Sequence, residues 1–156
     1  MDRNEQMMTP QDPNYAARTR GSFDQQRAMT LLGAQMTEVE PGMTEITLPF
    51  REELTQQHGF VHAGIITAIV DSACSYAALS LMPPGVGVLT IEFKVNLLNP
   101  AAGVRFAARG QVVKPGRTLM VCTGEVVAER VDGSQQTVSL MQATMMVVRD
   151  RAAVSD

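Results

Sequence analysis

A single carboxylate interrupts the long apolar run between residues 64 and 82. The polar and small residues of this run include four at spacings of three, four and four: Gly64, Thr67, Asp71 and Ser75. On a helix such residues share one face, so they form a narrow stripe. A carboxylate in apolar surroundings is usually neutralised, paired with a cation or used as a base. The run contains no Lys or Arg, which favours a base; a carboxylate satisfied by neighbouring hydroxyls is the alternative.

The start of this run supplies a second chemical group. The sequence HGFVHAG, residues 58 to 64, places backbone N–H groups without intrahelical partners at the positive end of a helix dipole. If the N–H of Ala63 or Gly64 polarised a carbonyl and Asp71 directed water onto its carbon, acyl hydrolysis would follow. Roughly 11 Å of helix separates the two groups, too far for one carbonyl. A two-fold dimer with antiparallel helices would join them, so we predict a shared site.

Local patterns predict the elements that position this helix. A short helix is expected over Phe23–Leu32, capped by Ser22 and ended by Gly33. Alternating residues on both sides of Pro41-Gly42 predict a two-strand hairpin. The long helix is expected from Ala63 to Met82, where PPGVG ends it, and four alternating or β-branched runs follow.

These elements predict an α+β domain, with one long central helix wrapped by an antiparallel sheet of about five to six strands. The chain of 156 residues is the length of one domain. We assign residues 21–150 to that domain, 1–20 to a flexible N-terminal arm and 151–156 to a C-terminal tail.

Composition excludes several classes of function. The net charge is −3 and the basic residues are dispersed, which argues against a nucleic-acid partner. Cys74 and Cys122 lie in apolar runs without ligand spacing and are predicted to be reduced, which points to the cytoplasm. The apolar run is not predicted to span a membrane, because a central aspartate costs roughly 3 kcal/mol on insertion.

The stretch HGFVHAGIITAIVDSA resembles the HGGxxxxxxD signature of hotdog-fold acyl-CoA thioesterases of the phenylacetate-thioesterase (PaaI-like) group. The resemblance covers roughly residues 23 to 148 and implies the hotdog fold. It implies that the N–H of Ala63 donates to the thioester oxygen and that Asp71 is the base or nucleophile. It also implies that His62 orients the turn and that Thr90 helps to hold the water.

The same resemblance implies an acyl-CoA substrate, no cofactor apart from the coenzyme A of that substrate, and a homodimer that assembles as a homotetramer. Two residues depart from the family pattern: Ala63 replaces the usual glycine, and Gln56 stands where asparagine is often found. Phe60 and Ile65 are predicted to line the acyl pocket. Arg117, in the KPGR turn, is a candidate for the coenzyme A phosphates.

Other interpretations remain for the same residues. His58 and His62 have helical metal-ligand spacing, but Gly59 between them and the lack of a third ligand weigh against a metal site. Cys74 has no nearby histidine to activate it, so it is interpreted as a packed thiol. A non-catalytic acyl-CoA binding domain would need only the pocket, and a dehydratase would need a histidine paired with an acid.

Overall fold

The computed structural model describes residues 8–149 and 153–154. A 3-10 turn lies ahead of the longest helix of this part of the chain. The helices and the turn are α1 (Tyr15–Asp24), α2 (Arg27–Leu32), the 3-10 turn Glu52–Leu54 and α3 (Ala63–Leu79).

Six strands form one sheet in which every neighbouring pair is antiparallel. They are β1 (Gln35–Glu40), β2 (Met43–Pro49), β3 (Gly87–Leu97), β4 (Arg105–Lys114), β5 (Leu119–Glu129) and β6 (Gln135–Val148). Their order across the sheet is β1-β2-β4-β5-β6-β3, and α3 contacts the five strands from β2 to β6. The predicted α+β hotdog fold, a central helix wrapped by an antiparallel sheet, is confirmed.

The predicted hairpin around Pro41-Gly42 is formed by β1 and β2. Gly42 has φ +73°, a conformation that side chains disfavour, so glycine suits the turn. Its N–H donates to Ser80 Oγ at 2.8 Å. This bond ties the hairpin to the end of α3, because Ser80 follows the last helical residue.

The N-terminal region differs from the prediction of one helix over Phe23–Leu32. Two helices are present, separated at residues 25 and 26, and Ser22 lies inside α1 rather than at a cap. Near the end of α1, the Phe23 ring meets the Tyr76 ring edge to face, with centroids 5.7 Å apart. Gly33 ends α2 with φ +76°, as predicted.

The boundary that we placed after residue 20 falls within α1, whose Thr19 and Phe23 are buried. Arg18 donates to the carbonyl oxygens of Leu79, Met82 and Pro83, which attaches α1 to the end of α3. Residues 1–7, residue 150, and residues 151–152 and 155–156 of the predicted tail lie outside the described residues.

The middle of α3 rests directly on β4. A Cβ atom added to Gly110 would lie 2.3 Å from the carbonyl carbon of Ala73, so only glycine allows this approach. Thr44 Oγ1 also donates to the Ala73 carbonyl oxygen at 2.8 Å. These contacts fix the helix two residues beyond Asp71 and therefore fix the height of the carboxylate above the sheet.

Helix α3 ends at Leu79, three residues before the predicted Met82, and the PPGVG segment follows. The helix is apolar on most of its surface, yet within the described residues no helix is both long and apolar enough to cross a bilayer.

Candidate active site

The Asp71 carboxylate is held by a chain of two hydroxyl groups. Thr90 Oγ1, on β3, donates to Asp71 Oδ1 at 2.8 Å. Ser75 Oγ, one helical turn beyond Asp71, lies 3.1 Å from Thr90 Oγ1, and both hydroxyls contact the sulfur of the buried Met145. Within the described residues no hydrogen bond reaches Asp71 Oδ2, so this oxygen can accept a proton.

Burial raises the pKa of Asp71 above its ordinary value of 3.8, and the hydrogen bond from Thr90 offsets part of this rise. A carboxylate of raised pKa is a stronger base once it is ionised. Thr90, which the family resemblance gives a role in holding the water, is thus in direct contact with Asp71. The second hydroxyl, Ser75, belongs to the polar stripe, but sequence spacing alone does not identify its bond to a residue on β3.

His62 caps the start of α3. Its Nδ1 accepts the N–H of Gly64 at 2.9 Å, and its carbonyl oxygen accepts the N–H groups of Ile65 and Ile66. Gly64, one of the two predicted donors, therefore has its N–H occupied. The N–H of Ala63 makes no hydrogen bond within the described residues, and it is the free donor at this helix start.

A cavity of about 370 Å³ lies beside Ala63. The side chain of Gln56 lines it and accepts the N–H of His58, while the backbone N–H of Gln56 donates to Phe60 at 2.8 Å. These bonds hold the loop before α3 in one shape. The other walls come from the same loop, the helix start, the end of β3 with the segment after it, and β6: Phe60, Val61, Ile66, Leu97, Leu98, Asn99, Pro100, Ala101 and Val138.

Ile65 does not line this cavity. Ile65 is partly buried and packs against the hydrophobic core, whereas its neighbour Ile66 is fully buried in the core and also lines the cavity. Phe60, also predicted to line the acyl pocket, lines this cavity. Arg117 lies in a different cleft, beside Arg149, Leu81 and Met82 near the other end of α3.

Within one chain, Asp71 and Ala63 line separate cavities. Asp71 lies in a cleft of about 580 Å³, which it shares with Gln25, Gln26, Ser72 and Thr90 among others. None of the residues that line this cleft also lines the Ala63 cavity. One copy of the chain therefore does not present both groups to the same ligand atom.

His58 and the cysteines have no part in this arrangement. His58 is exposed in the turn before α3 and His62 is the cap of α3, so the two residues do not lie on one helix. Among the described residues no cluster of three His, Cys, Asp or Glu side chains has the arrangement of a metal site. Cys74 and Cys122 are free and buried, and burial raises the pKa of the Cys122 thiol to about 12.

The acid limb of the pH–rate profile tests the Thr90–Asp71 bond. If Asp71 must be ionised, kcat/KM should fall as the pH drops through its pKa, and that midpoint should lie above 3.8. Thr90→Val removes a bond that lowers the pKa, so the acid limb should move to higher pH. Thr90→Ser keeps the hydroxyl and should leave the limb near its original position. A limb that does not move in Thr90→Val would contradict the assignment.

Comparison with known proteins identifies the family. A model of the thioesterase superfamily matches residues 58–133. A Halobacterium salinarum protein provisionally named an esterase is 31% identical over 151 residues, which cover 92% of this chain and 99% of that one.

Solved structures agree. A thioesterase family protein from Silicibacter pomeroyi has a TM-score of 0.85 and 51% identity, covering 87% of this chain and 99% of that one. The PaaI protein of the E. coli phenylacetic acid degradation operon has a TM-score of 0.77 and 20% identity, covering 87% and 94%, and supports the fold. The chain belongs to the thioesterase superfamily and has its hotdog fold.

Proposed function

We propose that the protein hydrolyses an acyl-CoA thioester to a free acid and coenzyme A. The observation that carries this proposal is the state of Asp71: it is partly desolvated, held at one oxygen by Thr90 and free at the other, beside an open cleft. A carboxylate placed in this way is suited to take a proton from water. Membership of the thioesterase superfamily is consistent with this chemistry.

The proposed site is shared between two copies of the chain. Strand β3 is at an edge of the sheet and leaves large apolar side chains exposed, including Leu89, Ile91 and Phe93. An exposed apolar edge strand is suited to pairing with an identical strand. Antiparallel pairing would reverse the second helix and bring Asp71 of one copy towards Ala63 of the other. We propose that such dimers pair further into a tetramer.

In the shared site the N–H of Ala63 would donate to the thioester oxygen and stabilise the negative charge that develops there. Asp71 of the other copy would take a proton from water as the water oxygen bonds to the thioester carbon. The tetrahedral intermediate would then expel the coenzyme A thiolate, which takes up the proton from Asp71. Direct attack by Asp71, forming a mixed anhydride that water later cleaves, uses the same residues.

We propose that neither a metal nor another cofactor takes part. The cytoplasm is the proposed location, because two buried free thiols suit a reducing compartment.

A panel of aryl, medium-chain and long-chain acyl-CoA substrates, assayed for release of free thiol, tests the proposed function. We expect turnover of at least one class above the uncatalysed rate. Binding of acyl-CoA without thiol release from any of them would instead favour a non-catalytic binding domain.

A further inference from the structure

The Ala63 cavity is mainly apolar. Gln56 and Asn99 are the polar residues among those that line it, and no lining residue is charged. Two of the other lining residues, Ile66 and Val138, are buried, so the cavity reaches from the start of α3 towards the hydrophobic core. A concave apolar space of this kind suits a hydrocarbon group better than a charged or strongly polar one.

The Asp71 cleft has a different surface. Most of its lining residues carry hydroxyl, amide or carboxyl groups, among them Gln25, Gln26 and Ser72. In a shared site the thioester lies where the cleft of one copy meets the Ala63 cavity of the other. The hydrocarbon part of the acyl group is therefore assigned to the Ala63 cavity.

Ala63 contributes a hydrogen-bond donor and a side chain to the same place. Its N–H makes no hydrogen bond within the described residues, and Ala63 is among the residues that line the cavity. Ala63 is the first residue of α3, where free N–H groups point out of the helix end and the Cα–Cβ bond tilts towards that same end. Since N and Cβ are bonded to one Cα, they are about 2.5 Å apart. A group that accepts the N–H therefore lies beside the methyl group.

We propose that the methyl group of Ala63 determines specificity at the acyl carbon next to the thioester carbonyl, and that the protein selects acyl groups with an unbranched CH₂ group there. This inference rests on the proposed function, because it concerns the acyl part of the same thioester. An oxygen about 3 Å from the Ala63 nitrogen lies about 4 to 5 Å from the methyl carbon. A branch on the adjacent acyl carbon falls in the same range, so it competes with the methyl group for space.

The surroundings of the methyl group are held in place. In the loop before α3, the N–H of Gln56 donates to the carbonyl oxygen of Phe60 at 2.8 Å. In the first turn of α3, Nδ1 of His62 accepts the N–H of Gly64 at 2.9 Å, and Ile66 is fully buried. A branched acyl group is therefore accommodated by moving the thioester away from the donor rather than by moving the helix.

Matched acyl-CoA substrates test this selectivity. The pairs are phenylacetyl-CoA with its α-methyl analogue and octanoyl-CoA with its α-methyl analogue, and the measured quantity is the ratio of kcat/KM for the unbranched member to kcat/KM for the branched one. Ala63→Gly removes the methyl group and keeps the N–H, so this ratio should fall about 10- to 100-fold, the range that one carbon in an apolar pocket commands. The lower intrinsic reactivity of a branched thioester is the same for both proteins and cancels.

Two control variants separate the methyl group from the backbone freedom that glycine adds. Ala63→Ser keeps a side chain of similar size and should retain the wild-type ratio. Ala68→Gly makes the same substitution elsewhere in α3, at a residue that lines neither the Ala63 cavity nor the Asp71 cleft, and should also retain it. An unchanged ratio in Ala63→Gly, or an equal fall in Ala68→Gly, would overturn the assignment.

The position of the branch supplies a control in the substrate. The β-methyl analogue of octanoyl-CoA carries its branch one carbon further from the carbonyl. Its kcat/KM relative to that of octanoyl-CoA should be the same in the wild type and in Ala63→Gly. A fall as large as that for the α-methyl analogue would contradict a contact at the first acyl carbon.

Direct binding separates this inference from the proposed reaction. In Asp71→Asn, octanoyl-CoA titrated calorimetrically should bind more tightly than its α-methyl analogue, and adding Ala63→Gly should narrow the difference in Kd at least about fivefold. That binding preference in a protein that hydrolyses no acyl-CoA would reject the proposed reaction and keep the specificity. Hydrolysis with the same ratio in the wild type and in Ala63→Gly would reject the specificity alone.

Discussion

Asp71→Asn should lower kcat for acyl-CoA hydrolysis by a factor on the order of 10² to 10⁴, which corresponds to about 3 to 5 kcal/mol of transition-state stabilisation. The amide keeps the shape of the side chain and can still accept the hydrogen bond from Thr90, but it has no basic oxygen. The KM or Kd for acyl-CoA should therefore change little. Steady-state kinetics and an acyl-CoA titration on the same sample measure both quantities.

Asp132→Asn supplies the matched control. Asp132 lies in the exposed turn between β5 and β6, where its carboxylate accepts hydrogen bonds from Ser134. The same chemical change at that position should leave hydrolysis unaffected. Wild-type turnover in Asp71→Asn would end the catalytic assignment and leave Asp71 as a structural residue.

The stability of Asp71→Asn should depend on pH in a defined direction. Burial raises the pKa of Asp71 in the folded protein, so the folded state favours the protonated carboxyl. The stability linked to that proton is present below the unfolded pKa and is lost as the pH rises through the folded pKa. Near neutral pH the thermal midpoint of Asp71→Asn should therefore equal or exceed that of the wild type, and the difference should shrink in acid.

Much of the fold follows from local sequence patterns. The Pro41-Gly42 hairpin, the long helix and the strands after Gly85 depend on alternation, apolar length and helix-breaking residues, and all of them are present. The predicted helix over Phe23–Leu32 includes only the last two residues of α1, because the rest of the α1 sequence is polar and contains Gly21. Its position depends on contacts far along the chain, such as those of Arg18 with the end of α3.

The candidate site, like the fold, contains some features that depend on local sequence and others that depend on distant contacts. Spacing along one helix predicts Asp71, and the start of that helix predicts a donor at Ala63 or Gly64, because both depend on local geometry; the family resemblance then implies Ala63. The pairing order of the strands is not a local property: β3 pairs with β6 at the edge of the sheet, although β4 follows it in the chain. The contact between Ser75 and Thr90, and the place of Arg117 beside Arg149, depend on that order.

The shared site should be demonstrated by mixing two inactive chains. Ala63→Pro removes the N–H of Ala63, and the loss of one such donor typically costs 10² to 10³ in kcat. Proline is tolerated here, because Ala63 is the first residue of α3 and His62 has φ −59° and ψ 136°, which suit a residue before proline. Circular dichroism and the thermal midpoint establish that the variant is folded.

If the site combines Asp71 of one chain with Ala63 of the other, a mixed dimer of Ala63→Pro and Asp71→Asn contains one intact site and one doubly defective site. Co-expression of the two variants with different affinity tags, followed by tandem purification, should then recover about a quarter to a half of wild-type activity. As controls, each variant is co-expressed with a second copy of itself that carries the other tag, and it is purified in the same way. Both controls should remain inactive. A mixed species that is no more active than either parent would place both groups of each site in the same chain, which the separation of the Asp71 cleft from the Ala63 cavity argues against.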